Sequence, residues 1–331
     1  MKKNNFFLNK KILVAGGTGM VGQMLVPKLI NYGAKVIVSS MDSKNLCPKG
    51  VKKFYKLDLM HLENCIKVTK GVDIVFNLLG VTGSPKINNE RPGTFMMSNL
   101  YCATNLLMGA QRSKVKHYLY TSTYGVYGPS NLMREKDLWK SSPSEHDKYA
   151  GWAKRIGELQ IEAYEKEFDF KSLHIVRPAN IFGPYANFNP VSSMVVSSLI
   201  KKICSKQNPL EVWGDGSAVR DFIYSEDVAE AMISIVKKKI TKPINIGSGT
   251  GYSIKYLVKT LLNCKNIPQK PKVIFDKSKP QGDKIRILDT SQALKYGIKP
   301  RYNLKKALEL TVDWYLNNKN SLNRRFNFFK K

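Results

Sequence analysis

Short apolar runs alternate with longer stretches of helical periodicity through the first half of the chain. The runs read as buried strands at Lys11–Ala15, Lys35–Ser39, Lys53–Leu57, Asp73–Leu78, Lys116–Thr121 and Lys171–Val176. The stretches between them predict helices at Met20–Tyr32, Leu62–Thr69, Thr94–Arg112 and Tyr149–Phe168. Strand–helix alternation of this kind builds a doubly wound parallel sheet in an α/β fold. Beyond Pro178 the texture changes: Gly, Pro and Asn punctuate Phe182–Pro190, and the later elements are shorter. Ser225-Glu-Asp-Val predicts a helix to about Lys238 with Ser225 as N-cap. Ile244–Ile246 reads as a short strand before Gly247-Ser-Gly-Thr-Gly251.

Composition narrows the class without changing that pattern. The chain has 331 residues, 43% hydrophobic and 24% charged, enough to bury a sizeable core. No apolar run reaches the length of a membrane-spanning helix. The net charge of +29 comes from 54 Lys and Arg against 25 Asp and Glu, and only 10 of the 54 are Arg. Lysine spread over the whole chain reads first as a solvated surface. A phosphate-bearing ligand accounts for a few basic groups, and nucleic acid is the minor alternative. Five scattered cysteines and four histidines have no metal-ligand spacing, so reduced thiols, no metal and a cytoplasmic setting are expected. The opening Met1-Lys-Lys and Phe6-Phe7-Leu8 resemble a secretory leader, but Asn9-Lys10-Lys11 interrupts the apolar run, and none is expected.

Lys11-Ile-Leu-Val-Ala-Gly-Gly-Thr-Gly-Met-Val-Gly22 places Gly16, Gly19 and Gly22 between a buried strand and a helix. Glycine there permits a tight turn and close backbone approach to a pyrophosphate, which the helix N-terminus favours. A Rossmann dinucleotide site follows, with contacts expected at Gly16, Thr18, Gly19, Met20, Val21, Gly22, Asp58, Leu59 and Leu79. Asp58 reads equally as a helix-entry cap. An acid at the tip of the second strand would bind ribose hydroxyls and repel a 2′-phosphate. Ser39 and Ser40 occupy that tip, with Asp42 late and Lys44 nearby, so NADP is expected and NAD is the alternative. The chain then divides into a dinucleotide-binding domain over 8–180, to which 218–248 returns, and a smaller C-terminal α/β substrate lobe over 181–217 and 249–318. A basic tail over 319–331 interleaves Arg324, Arg325, Lys330 and Lys331 with Phe326, Phe328 and Phe329. It reads as a frayed end, a subunit contact or a binder of anionic surfaces.

Tyr120-Thr-Ser-Thr123-Tyr-Gly-Val-Tyr-Gly128 and, later, Tyr149-Ala-Gly-Trp-Ala-Lys154-Arg-Ile-Gly-Glu158 carry a resemblance. With them the chain resembles the extended short-chain dehydrogenase/reductases, the NAD-dependent epimerase/dehydratase family, from about residue 10 to 317. The resemblance implies Thr123 at the reacting oxygen, Tyr149 as acid/base, and Lys154 lowering its pKa while holding the nicotinamide ribose. Arg177-Pro-Ala-Asn180-Ile-Phe-Gly-Pro184, Val212-Trp-Gly-Asp-Gly216, Arg220-Asp-Phe-Ile-Tyr-Ser-Glu-Asp227 and Phe275-Asp-Lys-Ser-Lys-Pro280 are most similar to the GDP-L-fucose synthase branch. By that likeness Asn180 touches sugar or phosphate, Arg220 pairs with the diphosphate, and Trp213 and Lys279 lie near the nucleotide. Surface lysine and core tryptophan are their alternatives, and a strand-end cap is the alternative for Thr123.

Departures from the branch shape the expectation. Its proton-shuttling cysteine is Gly125 here and the histidine partner is Met194. Neither residue carries a proton, so 3,5-epimerisation is not expected. If another acid/base replaced them, His146 and His174 come first. The expected reaction is hydride transfer at C4 of a nucleoside-diphosphate sugar, foremost reduction of a GDP-linked 4-keto sugar. Alternatives are a 4-epimerase with tightly bound NAD and a redox-inactive NADP- or RNA-binding protein. Leu100, Ala103, Leu107 and Ala110, with Ile156, Leu159, Ala163 and Tyr164, fit a helix-paired homodimer or packing onto the sheet. Tyr149 and Lys154 stand five apart, where the family has four. On a regular helix that separates them by about 140°. A start before the first helical turn together with a π-bulge at Gly151 is the expected remedy; loss of the catalytic tyrosine is the alternative.

Overall fold

The computed structural model describes residues 5–81, 90–189, 192–267, 270–279, 282–320 and 325–326. In its first half, β1 (Lys11–Ala15) leads into α1 (Met20–Asn31) and β2 (Lys35–Ser40), then β3 (Lys53–Lys56), α2 (Leu62–Thr69) and β4 (Ile74–Asn77). Helix α3 (Pro92–Arg112), β5 (His117–Thr121), α4 (Lys148–Glu167) and β6 (Leu173–Pro178) complete the alternation. The second half supplies β7 (Asn180–Phe182), α5 (Val195–Cys204), β8 (Leu210–Trp213), β9 (Val219–Tyr224), α6 (Ser225–Lys237) and β10 (Ile244–Ile246). It ends with β11 (Gly251–Ser253), α7 (Ile254–Leu262), β12 (Val273–Asp276), β13 (Ile285–Arg286), α8 (Ser291–Lys295) and α9 (Leu304–Asn318).

Among the described residues the main sheet is parallel, in the order β10-β6-β5-β4-β1-β2-β3. That is the doubly wound order, whose reversal between β1 and β4 opens a crevice at the strands' carboxyl ends. Alternation along β1 feeds two cores. Ile12 and Val14 pack with Leu25 and Leu29 of α1 and Met232 and Val236 of α6. Leu13 and Ala15 pack on the opposite face with Leu106 of α3 and Ile161 of α4. A third core, around Phe188, Ile200, Leu257 and Leu308, belongs to the lobe formed by α5, α7 and α9. There β9 pairs with β7, β11 and β13, while β8 and β12 form a separate ribbon.

Two local expectations need correction, and one of the two readings offered for α3 is favoured. The N-cap of α6 is Tyr224, not Ser225. Ser225 is the first helical residue, and its hydroxyl is buried without a partner among the described residues. Ala103, Leu107 and Ala110 of α3 are buried inside the chain's own core, so they pack onto the sheet. Finally, α4 is an unbroken α-helix from Lys148 and holds no π-bulge.

No described helix is long and apolar enough to cross a membrane. Phe7 lies in the core below β1. The five cysteines are free thiols.

Candidate active site

The glycine loop is a cradle that larger residues would fill. Gly16 has φ +80°, the left-handed region that favours glycine. A Cβ on Gly17 would meet Val38 at 2.8 Å, and one on Gly22 would meet Gly17 at 2.5 Å. The N-cap of α1 is Gly19, with no side chain to satisfy the first turn. The N–H groups of Met20, Val21 and Gly22 therefore point out of the helix end, suited to a pyrophosphate. Met20 also packs against the lobe core, tying the loop to the second half of the chain. These features fit a dinucleotide.

At the tip of β2 the two serines differ. Ser39 is fully buried: its carbonyl accepts from Gly16, and its hydroxyl is enclosed without a partner among the described residues. It gives the site backbone only. Ser40 Oγ lies 2.6 Å from Thr18 Oγ1, which donates at 2.7 Å to Asp42 Oδ2. Thr18, Ser40 and Asp42 thus form one polar cluster beside the glycine loop. The tail also reaches this place. Arg325 donates to the Thr18 carbonyl oxygen at 3.0 Å, and the Phe326 N–H donates to Asp42 Oδ1 at 2.7 Å. The frayed-end reading fails for these two residues; Arg324, Phe328, Phe329, Lys330 and Lys331 lie outside the described ones. Asp58 accepts from the Met60 N–H, closing a turn ahead of α2, while His61 is the N-cap of that helix. Leu59 is buried.

Deeper in the crevice, Lys154 is buried and donates at 2.9 Å to both Leu79 O and Thr121 O. These carbonyls follow β4 and end β5, so the amine stands at the strands' carboxyl ends, one strand from the switch between β1 and β4. Burial pushes the Lys154 amine down to about 8, against the pull of Cys102 and Glu158. Thr123 caps the short 3₁₀ turn Tyr124–Val126 through its side chain, accepting from Gly125 N at 3.2 Å. The cap and the site role concern the same hydroxyl.

Tyr149 lies in the first turn of α4, 40% exposed. The regular helix puts Ala150, not Tyr149, on the Lys154 face. The function of Gly151 is close packing rather than a bulge: an added Cβ would collide with Gly125 O and meet Pro143 at 2.8 Å. That contact pins the turn carrying Tyr149 against the Thr123 loop.

Residues from the lobe close the other side. The Tyr124 hydroxyl donates to Asn180 Oδ1 at 2.8 Å, while Asn180 Nδ2 donates to Asp221 O at 2.9 Å. Arg220 stands beside Arg286 in the β9–β13 pairing. Burial lowers the Arg220 pKa. For Arg286 burial acts the same way, but Tyr124, Asp147 and Asp283 outweigh it and raise the pKa. Arg286 pairs with Asp147, bonds to Ser144, and reaches Asp283 at 2.7 Å. The sequence reading missed Arg286 and Asp147 because no motif marks them. At Gly125, where the resemblance places a cysteine, a Cβ would sit 3.2 Å from the Asp147 carboxylate, which would have to shift to admit it. Met194 is exposed at the N-cap of α5.

The two flagged histidines separate. A Cβ on Gly282 would lie 3.3 Å from the Arg220 guanidinium and 3.9 Å from the His146 ring, which places His146 by this site. His174, near the start of β6, stacks on His117 and lies 2.6 Å from Ile240 O, far from the strands' carboxyl ends. Trp213 and Lys279 lie on the β8–β12 ribbon. Trp213 is paired in register with Asp276, whose carboxylate is 4.0 Å from the Lys279 amine. Among the described residues no group of three His, Cys, Asp or Glu is placed to hold a metal.

Comparison with known proteins agrees with this architecture. Among curated relatives, a GDP-L-fucose synthase of Sinorhizobium fredii is 28% identical over 317 residues, covering 93% of this chain and 96% of the relative. A GDP-mannose 3,5-epimerase of Arabidopsis thaliana is 27% identical, covering 92% and 82%. Among solved structures, the UDP-glucose 4-epimerase of Thermotoga maritima, with UDP-glucose, matches at TM-score 0.80 and 25% identity, covering 93% of this chain and 99% of that one. The sequence profile of the NAD-dependent epimerase/dehydratase family matches residues 12–247, more than half of the chain. The chain belongs to the NAD-dependent epimerase/dehydratase family.

Proposed function

We propose that this protein reduces the 4-keto group of a GDP-linked sugar with NADPH. The observation that carries the reading is Lys154. Its amine is buried on two main-chain carbonyls, Leu79 O and Thr121 O, the latter two residues before Thr123. The similarity to GDP-L-fucose synthases over nearly the whole chain supports a GDP-linked substrate.

The N–H groups at the start of α1 would hold the pyrophosphate, and Lys154 the nicotinamide ribose. A bound nicotinamide supplies the hydride to C4. Thr123 Oγ1 positions the C4 oxygen. Tyr149, which stands in the first helical turn off the Lys154 face, would turn toward that oxygen to give it a proton, because an alkoxide is too basic to leave unprotonated. Arg220 on β9 would take the diphosphate, with Arg286 beside it on β13 held by Asp147, Ser144 and Asp283. Asn180, held by the Tyr124 hydroxyl on its Oδ1 and by Asp221 O on its Nδ2, would face the sugar. With Gly125 and Met194 in place of the proton shuttles, no proton is moved at C3 or C5. Two copies would pair through the outer faces of α3 and α4, where Met97, Tyr101 and Leu159 are exposed.

A 4-epimerase retaining NAD is the second reading, favoured by the Asp42 carboxylate beside the glycine loop. Adding NADPH and a GDP-linked 4-keto sugar to purified protein separates them. The reductase consumes NADPH in proportion to the sugar; the epimerase holds its dinucleotide and consumes none.

A further inference from the structure

We propose that the C-terminal tail is part of the dinucleotide site: Arg325 and Phe326 close over Asp42 and make the adenosine end selective for a ribose carrying a 2′-phosphate. This rests on the reading that the crevice binds a nicotinamide dinucleotide. The two residues lie about 300 positions from the glycine loop in sequence, yet both meet it. Phe326 N–H takes Asp42 Oδ1 at 2.7 Å, and Thr18 Oγ1 takes Asp42 Oδ2 at 2.7 Å. With a protein donor on each oxygen, Asp42 is drawn away from the task an acid performs here, accepting ribose hydroxyls and repelling phosphate.

Arg325 adds the opposite charge. It donates to Thr18 O at 3.0 Å, and a guanidinium carries five N–H donors in all. A planar guanidinium matches a phosphate bidentately. Burial lowers the Arg325 pKa, and the Asp42 charge beside it opposes the shift. A segment serving only to block the crevice has no need of a partly buried cation, whose desolvation costs free energy. Arg325 and Phe326, bonded at Thr18 and Asp42, also account for a strand tip with serines where an acid would select NAD.

The test is a direct binding titration of NADPH and NADH, without sugar nucleotide, on the full chain and on Arg325→Gln and Phe326→Pro. Proline removes the N–H that engages Asp42. Wild type is expected to bind NADPH at least about tenfold more tightly than NADH. Each variant loses about tenfold or more for NADPH, with NADH changed by less than about twofold or improved. Equal changes in both affinities, or none, overturn the tail's role and leave the enzyme reading intact. Tighter binding of both dinucleotides by the variants also overturns it, making the tail a plug. Wild type binding neither dinucleotide overturns the functional reading as well.

Discussion

The Lys154 amine reaches the Leu79 carbonyl oxygen at 2.9 Å, bonding the middle of α4 to the end of β4 across 75 residues of sequence. A second bond to Thr121 O adds β5, so one cation spans the crevice floor. Its buried position makes the charge easy to lose, and pH dependence follows.

Above about pH 8 the Lys154 amine is expected to become neutral in the free enzyme. kcat/KM should fall as pH rises through that value, and Lys154→Arg should remove the fall at a lower plateau. Stability moves the other way. The folded chain releases this proton near 8 and the unfolded chain near 10.5. Between those values the unfolded state holds more protons, so stability rises with pH, by up to about 3 kcal/mol. Buried thiols such as Cys65 and Cys102, pushed up to about 12, oppose that rise, so the test is the difference. Between pH 7.5 and 10 in urea titrations, wild type should gain about 2 kcal/mol on Lys154→Met.

Tyr149→Phe should lower kcat by about 100-fold or more with KM little changed, as expected when a proton donor is lost. Tyr124→Phe should cost less than about tenfold, through loosened positioning of Asn180. The reverse ranking would move the proton to Tyr124.

A stability test lies behind the site. Arg177 meets Glu158 at 2.6 Å, both buried, and Ser122 and Tyr127 complete the network. Removing one partner strands the other charge. Glu158→Gln should lower unfolding stability by about 3–5 kcal/mol, measured by urea denaturation; a loss below about 1 kcal/mol would mean the pair is solvated.

The exposed Met97, Tyr101 and Leu159 predict a second copy on the α3–α4 face. Light scattering at micromolar concentration should give a dimer mass. Met97→Glu with Leu159→Lys should give a monomer; a wild-type monomer would rule this pairing out.

The sequence made the first half legible because period carries the signal there. Strand β1 and helix α2 begin and end where the apolar pattern predicts, and the glycine spacing located the loop. What stayed hidden depends on contacts between distant segments. Arg286 lies in a two-residue strand with no pattern of its own. Asp147 acts through space on Gly125, and Arg325 meets Thr18 from the far end of the chain. The extra residue between Tyr149 and Lys154 was visible as a count, but its result was not. Close packing of Gly151 holds a regular helix where a bulge was expected.

The most direct measurement follows the label. NADPH carrying deuterium at the transferring position is incubated with the enzyme and a GDP-linked 4-keto sugar, and the product is read by NMR. A parallel reaction uses unlabelled NADPH in heavy water. The account predicts deuterium at C4 from the dinucleotide and none at C3 or C5 from solvent. A sugar without label at C4, or solvent deuterium at C3 or C5, would contradict it.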